Sequence, residues 1–330
     1  MDTNFDSLLN VSAVPQNDRT AAFIAESREN RSRCYEMSEQ MTSAVASDGQ
    51  AFQQYLDIQS HFDRYTANNV LLIMAQRPDA QKIGDYGYWR DQGAYVKRQE
   101  RKNPILIMEP GKEYEREDGS VGTYYNAKKL YDISQTNMGD KIQPRVGQEQ
   151  ERQEQTGREQ NGQNREHPEQ ENQAMKERQL IRALVSCPPA AIVTAEDDQI
   201  PEDKGALFDP EDRCIYVRKG MDAQEIFRSL APELALAGFA DGNKNYDRNE
   251  DAFHAYCASY MLCKKYGVDT RDFDFGGAPE MFEGMELQEV RGELSRMREA
   301  ANNISSRMAK VLDQNRNVNQ RAQQNCEERA

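Results

Sequence analysis

The sequence predicts an α+β protein: two small α+β domains joined by a polar linker, with a long C-terminal helix. Three observations carry this. Helix-like and strand-like apolar patterns follow one another over residues 32–138 and again over 179–282. Between them, residues 139–178 are dominated by Gln, Glu, Arg and Asn and hold almost no large apolar side chain. Beyond them, Leu287, Val290, Leu294, Met297, Ala301, Ile304, Met308 and Val311 recur at three- and four-residue steps, one stripe on one helix within 283–330.

Length and composition bound the rest. A chain of 330 residues suffices for two modest domains and linkers. Charged residues make up 30% and mean hydropathy is −0.94, polar enough that part of the chain is expected to stay unfolded. The formal net charge of −14 argues against a protein that coats duplex DNA. It leaves room for a local basic groove, because salt screens charges lying beyond about 10 Å. The cysteines at 34, 187, 214, 257, 263 and 326 form no Cys-x-x-Cys pair, and the start MDTNFDSLLN has no basic-then-apolar leader. No apolar run nears the roughly 20 residues that span a bilayer. The expectation is a cytoplasmic protein with reduced thiols and no membrane contact.

Taken in order, residues 1–31 read as a flexible lead-in with a short helix near Thr20–Glu26. Met37, Met41, Ala44 and Val45 predict a helix through Ala46, stopped at Ser47-Asp48-Gly49. Phe52, Tyr55, Leu56, Gln59 and Phe62 predict a second. Thr66 or Asn68 caps a third, which ends before Pro78. A short helix is expected at Tyr88–Gln92, then strands at Ile105–Met108, Thr123–Tyr125 and Leu130–Ile133, with a turn at Gly119–Gly122. This closes a domain over 32–138. Residues 139–178 cannot bury enough surface to offset their ordering entropy, so they read as a linker, disordered or transiently helical. In the second domain, a helix ends at Cys187-Pro188-Pro189, Ala191–Thr194 is a strand, and Ala206–Asp209 with Cys214–Arg218 forms a hairpin. Asp222 and Glu225 form a capping box opening a helix, and a further helix over Glu250–Tyr266 closes at Gly267. The final stripe reads as a helix lying across its own domain. Ala301 and two methionines make it a weak coiled-coil seam.

One stretch combines flat rings with cations. Tyr86, Tyr88, Trp89 and Tyr95 sit in a glycine-spaced segment, and Lys97, Arg98, Arg101 and Lys102 follow at once. Single-stranded nucleic acid is gripped by such a combination, rings stacking on bases and cations meeting phosphates. The same residues also fit core aromatics beside a solvated basic face, and spacing alone leaves both readings open.

Further motifs bear on that choice. Phe62–Tyr65, Asn68 and Asn69, Leu71–Ile73, Gln76-Arg77-Pro78-Asp79-Ala80, Gly87, Trp89, Gly93, Val96, the basic turn before Ile105, and Tyr131-Asp132-Ile133-Ser134-Gln135-Thr136 occur in this order. Over roughly residues 35–137 this pattern resembles the N-terminal domain of ArdC-type antirestriction proteins. The resemblance implies an α+β domain that binds single-stranded DNA, in proteins carried by mobile elements such as plasmids. The nucleic-acid-binding residues expected on this basis are Arg64, Arg77, Tyr88, Trp89, Lys97, Arg98, Arg101 and Lys102. The turn departs from the family's Gly-rich form. It reads Gln99-Glu100-Arg101-Lys102-Asn103, and Glu100 sets an anion in the expected phosphate path.

The family's second half is a zinc-metallopeptidase-like domain built on His-Glu-x-x-His. Histidines four apart on a helix share one face and reach one Zn²⁺, while the Glu acts as general base. Here Leu230-Ala231-Pro232-Glu233-Leu234-Ala235-Leu236 resembles that helix, with Pro232 and Leu236 at the histidine positions. Neither side chain ligates metal, and Pro232 is expected to kink the helix. The chain's three histidines, His61, His167 and His254, place only one in this domain. The expectation is a domain without catalytic residues, metal or cofactor, with Glu233 as a relic and the surface free for a protein partner. Two other readings compete: a metallopeptidase with an unusual site around Glu233, His254 and Cys257, joined by Asp251, Cys214 or Cys263, or an acidic decoy that occupies a restriction enzyme. The acidic stretch at 196–203 lacks the spacing of a calcium loop.

Overall fold

A computed structural model describes residues 16–116, 119–139, 168–196 and 199–327, with side chains over 21–116, 119–139, 174–196 and 199–314. Much of the expected lead-in and linker lies outside these residues. In chain order the elements are α1 (Gln16–Ser47), α2 (Gly49–His61), α3 (Ala67–Gln76), β1 (Ile83–Gly84), α4 (Tyr86–Asp91), a 3₁₀ turn (Arg98–Lys102), β2 (Ile105–Glu115) and β3 (Val121–Asp132). After a 3₁₀ turn at Ile133–Gln135 come α5 (Pro168–Leu184), β4 (Ala191–Thr194), β5 (Ala206–Asp209), β6 (Cys214–Val217), α6 (Ala223–Ala240), α7 (Arg248–Tyr266), α8 (Ala278–Met281) and α9 (Leu287–Glu327). The protein is α+β with a long C-terminal helix. No helix among the described residues is long and apolar enough to cross a membrane.

The chain divides into two units: Met1–Ser43 with Asn68–Gln143, and Ala44–Ala67 with Pro144–Ala330. In the first, an antiparallel sheet has the order β1-β3-β2. Cys34 of α1, Leu72 of α3, and Leu106 and Met108 of β2 form one buried cluster. Trp89, Ala94, Val96 and Tyr131 form another. The edge of β2 is closed by side-chain amides. Asn69 bonds both the N–H and the carbonyl of Met108 at 2.8 Å, and Gln76 does the same for Leu106 at 2.9 Å. Each amide replaces one residue of a missing strand, so the edge presents no unpaired ladder there. The hairpin is longer than the three short strands expected. Beyond Met108 both its faces are exposed, so no apolar alternation marks it in the sequence.

Helix α1 likewise runs unbroken where two shorter helices were expected. Residues 21–29 bury almost nothing, and Phe23 is 70% exposed, so no apolar period announced this part.

The second unit holds a sheet of order β4-β6-β5, with β4 parallel to β6 and the expected β5–β6 hairpin antiparallel. Helix α2, expected in the first domain, supplies core to this unit instead. Phe52 packs against Phe253, Phe275 and Phe282, and the Tyr260 hydroxyl donates to Asp57 at 2.6 Å. Apolar periodicity identifies a face to be buried but not the element that covers it. Asp222 and Glu225 form the capping box of α6, and Gly267 at φ 71° caps α7. Along α9, Val290, Leu294, Met297, Ile304 and Met308 are buried, so this helix lies across its own unit. Helix α5 begins at Pro168, within the stretch expected to be linker. Its first-turn proline suits a helix start, where the N–H would be unpaired in any case.

Candidate functional site

In the first unit, the Tyr131–Thr136 motif is a clamp for the basic turn. Buried Asp132 accepts from the backbone N–H of Gln81 (2.8 Å), Lys82 (2.9 Å) and Ser134 (2.9 Å). Gln135, also buried, closes a capping box with it. From this base, four bonds reach the turn. The Tyr131 hydroxyl donates to the Arg101 carbonyl at 3.1 Å, and the Gln135 amide donates to the Asn103 carbonyl at 2.7 Å and to Glu100 Oε2 at 3.2 Å. The Lys97 N–H donates to the Gln135 carbonyl at 2.9 Å. The backbone bonds point inward, and Arg98, Arg101 and Lys102 are exposed, with no ion pair among the described residues. The backbone that carries them is therefore held by buried groups, and their side chains are turned to solvent.

Exposed rings stand on the segment that leads up to the turn. Tyr86 (48% exposed) lies 4.8 Å, centroid to centroid, from Tyr131. Burial first, then the neighbouring Tyr86 hydroxyl, raises the Tyr131 hydroxyl well above its ordinary value. Tyr88 packs over Gly84, where a Cβ would meet its ring at 2.1 Å, and Lys82 Nζ sits 5.5 Å from the ring centroid. Tyr95 is 64% exposed.

The eight expected contact residues do not form one set. Trp89 is a correction: it is 1% exposed and its indole N–H donates to the Tyr131 carbonyl at 2.9 Å. A buried ring with its one donor already satisfied cannot stack on a base. Arg64 is exposed but belongs to the segment that forms part of the second unit. Arg77 faces Glu100 at 3.9 Å. Lys97 is partly buried, and its Nζ reaches the Ser134 carbonyl at 3.4 Å. Tyr88, Arg98, Arg101 and Lys102 are presented outward. Tyr86 and Lys82, absent from the expected set, join them. The first was visible as one of the aromatics in the stretch; nothing local distinguished the second.

In the second unit, Glu233 is not an idle relic. Its Oε2 accepts the Phe208 N–H at 2.7 Å, and its Oε1 accepts from Arg248 Nη2 at 2.6 Å. Arg248 Nη1 also donates to the Phe208 carbonyl at 3.3 Å. Both carboxylate oxygens are engaged, and Pro232 and Leu236 offer no donor atom, so these residues do not fit a zinc ion. Helix α6 nonetheless runs through Pro232. Nor do the other candidate ligands converge. Asp251 pairs with Arg296 and His254 with Glu293. Cys257 is buried, and desolvation raises its thiol well above the ordinary value. Among the described residues no three His, Cys, Asp or Glu side chains come together to hold a metal.

No family model and no curated protein matches the chain. Among solved structures it is similar to the metal-free crystal structure of the antirestriction ArdC protein from the R388 plasmid. The TM-score is 0.42 and the identity 16%, over 74% of this chain and 86% of that one. It is also similar to the Mn(II)-bound crystal structure of that protein, with a TM-score of 0.45 and 13% identity over 84% and 97% of the two chains.

Proposed function

We propose that the first unit binds single-stranded DNA through the basic turn Arg98–Lys102 and the half-exposed rings of Tyr86 and Tyr88. The observation that carries this is the clamp. Buried Asp132, Gln135 and Tyr131 are spent on holding a surface turn whose three cations have no protein partner among the described residues. A preorganised backbone loses little freedom when its cations meet phosphates, and neighbouring rings supply stacking worth about 1–3 kcal/mol per base. The resemblance of residues 35–137 to ArdC-type domains supports the same reading and suggests an antirestriction setting on a plasmid.

The second unit is, on this reading, a peptidase-like scaffold without catalysis, offering a surface to a protein partner. Support comes from Glu233, whose oxygens are committed to Phe208 and Arg248.

A gel shift with a fluorescent single-stranded oligonucleotide tests the first part. The wild-type chain is expected to shift it, and Arg98→Ala/Arg101→Ala/Lys102→Ala to lose the shift while keeping its circular dichroism. An unchanged shift in the triple variant would refute the assignment. For the second part, a casein-release assay with added Zn²⁺ is expected to read background. Activity abolished by Glu233→Gln would overturn it.

A further inference from the structure

We propose that Glu100 is the residue by which the basic turn distinguishes guanine from other bases; the proposal rests on the single-strand reading above. An anion amid Arg98, Arg101 and Lys102 makes a poor phosphate contact, and without partners it would swing freely in solvent. Instead it is held in place. The Gln135 amide donates to Oε2 at 3.2 Å, Arg77 Nη2 lies 3.9 Å from the same oxygen, and no described residue bonds Oε1. The Glu100 side chain keeps a quarter of its surface open to solvent.

Gln135 cannot turn its amide the other way. Its oxygen accepts the Asp132 N–H at 2.8 Å and its nitrogen also donates to the Asn103 carbonyl at 2.7 Å. The carboxylate is therefore an oriented acceptor, with one oxygen that no described residue bonds.

Such a group selects by the donors a base presents. Unstacked bases in single strands are read on their Watson–Crick edges. Guanine alone places two donors side by side there, N1–H and N2–H₂, matching a carboxylate. Thymine sets its N3–H between two carbonyl oxygens, which a carboxylate repels. Cytosine and adenine each place an acceptor nitrogen beside their amino group. A ring for the base to stack on is close at hand: Tyr86 lies 4.8 Å from the ring of Tyr131, whose hydroxyl in turn bonds the carbonyl of Arg101, the neighbour of Glu100.

Fluorescence anisotropy of the full chain with three oligonucleotides tests this: oligothymidylate of about 15 nucleotides, and the same strand with its central base replaced by guanine or by hypoxanthine. Hypoxanthine keeps the purine stack and N1–H but lacks the amino group. The guanine strand is expected to bind about fivefold or more tighter than the hypoxanthine strand. Glu100→Gln, which turns one acceptor oxygen into an amide donor, is expected to erase that ratio. Equal affinities for guanine and hypoxanthine in the wild type, or a ratio that survives in both Glu100→Gln and Glu100→Ala, would overturn the role of Glu100 alone. Failure to bind any of the strands would overturn the single-strand reading and this proposal with it.

Discussion

Arg248 meets Glu233 at 2.6 Å, while the amide of Phe208 takes the other carboxylate oxygen at 2.7 Å. One buried carboxylate thus joins α6, α7 and the edge of β5. Removing Arg248 strands a charge that is only 5% exposed. We expect Arg248→Ala to lower unfolding free energy by about 3 kcal/mol, at the low end for a buried pair because the guanidinium is partly solvated. Glu233→Met/Arg248→Met should recover most of that loss, since apolar replacements need no partner. Urea denaturation measures both. A wild-type midpoint for Arg248→Ala would mean the pair contributes nothing.

The two rings nearest the clamp should separate by assay. Trp89→Ala empties a core site, with an expected loss of about 3–5 kcal/mol in stability. Trp89→Phe should bind oligonucleotide like the wild type, because no base touches position 89. Tyr86→Ala should change the unfolding free energy by no more than about 1 kcal/mol. It should weaken binding by about 1–3 kcal/mol, the value of one stacked base. Loss of binding in a folded Trp89→Phe would place the grip elsewhere.

This division between Trp89 and Tyr86 marks where sequence reasoning stops. Signals whose cause is local were legible: the Asp222–Glu225 capping box, the Gly267 cap, the stop at Ser47-Asp48-Gly49 and the β5–β6 hairpin all stand where their chemistry places them. Signals that depend on a distant partner were not. Helix α2 was legible as a helix but not as core for the second unit, and Trp89 was legible as an aromatic but not as a buried one. Arg248 carried no mark at all. A glutamate on an apolar helix calls for a cation, and many arginines could have answered. The long hairpin was missed because two exposed faces leave no alternation to read.

Gln135 acts on the turn through Glu100 and Asn103, so its variants should change geometry rather than charge. Gln135→Ala is expected to weaken oligonucleotide binding several-fold with the salt dependence unaltered, because Arg98, Arg101 and Lys102 all remain. Gln135→Glu should be worse, setting a second carboxylate against Glu100. A salt slope that falls with Gln135→Ala would instead assign it a direct phosphate contact.

Thiol reactivity follows burial. Desolvation raises Cys34 from 9.0 to about 11 and Cys263 to about 12, whereas Cys187 is exposed. In a Cys326→Ser background near neutral pH, Ellman's reagent should titrate Cys187 in the native protein and the buried thiols only after denaturation. The sign of the linkage is fixed by the direction of the shift. Folding favours the protonated thiol, so its contribution is full below 9 and is lost as pH rises through about 11. The urea midpoint should fall over that window, and less steeply in Cys34→Ala.

The central claim is that clamped cations in the first unit hold single-stranded DNA, and salt tests it most directly. Anisotropy titrations of an oligothymidylate against rising salt should give a linear fall of log K with log salt. The slope should shrink by about 0.7 for each of Arg98, Arg101 and Lys102 replaced by Ala. Binding that ignores salt, or a triple variant with the wild-type slope, would contradict the account.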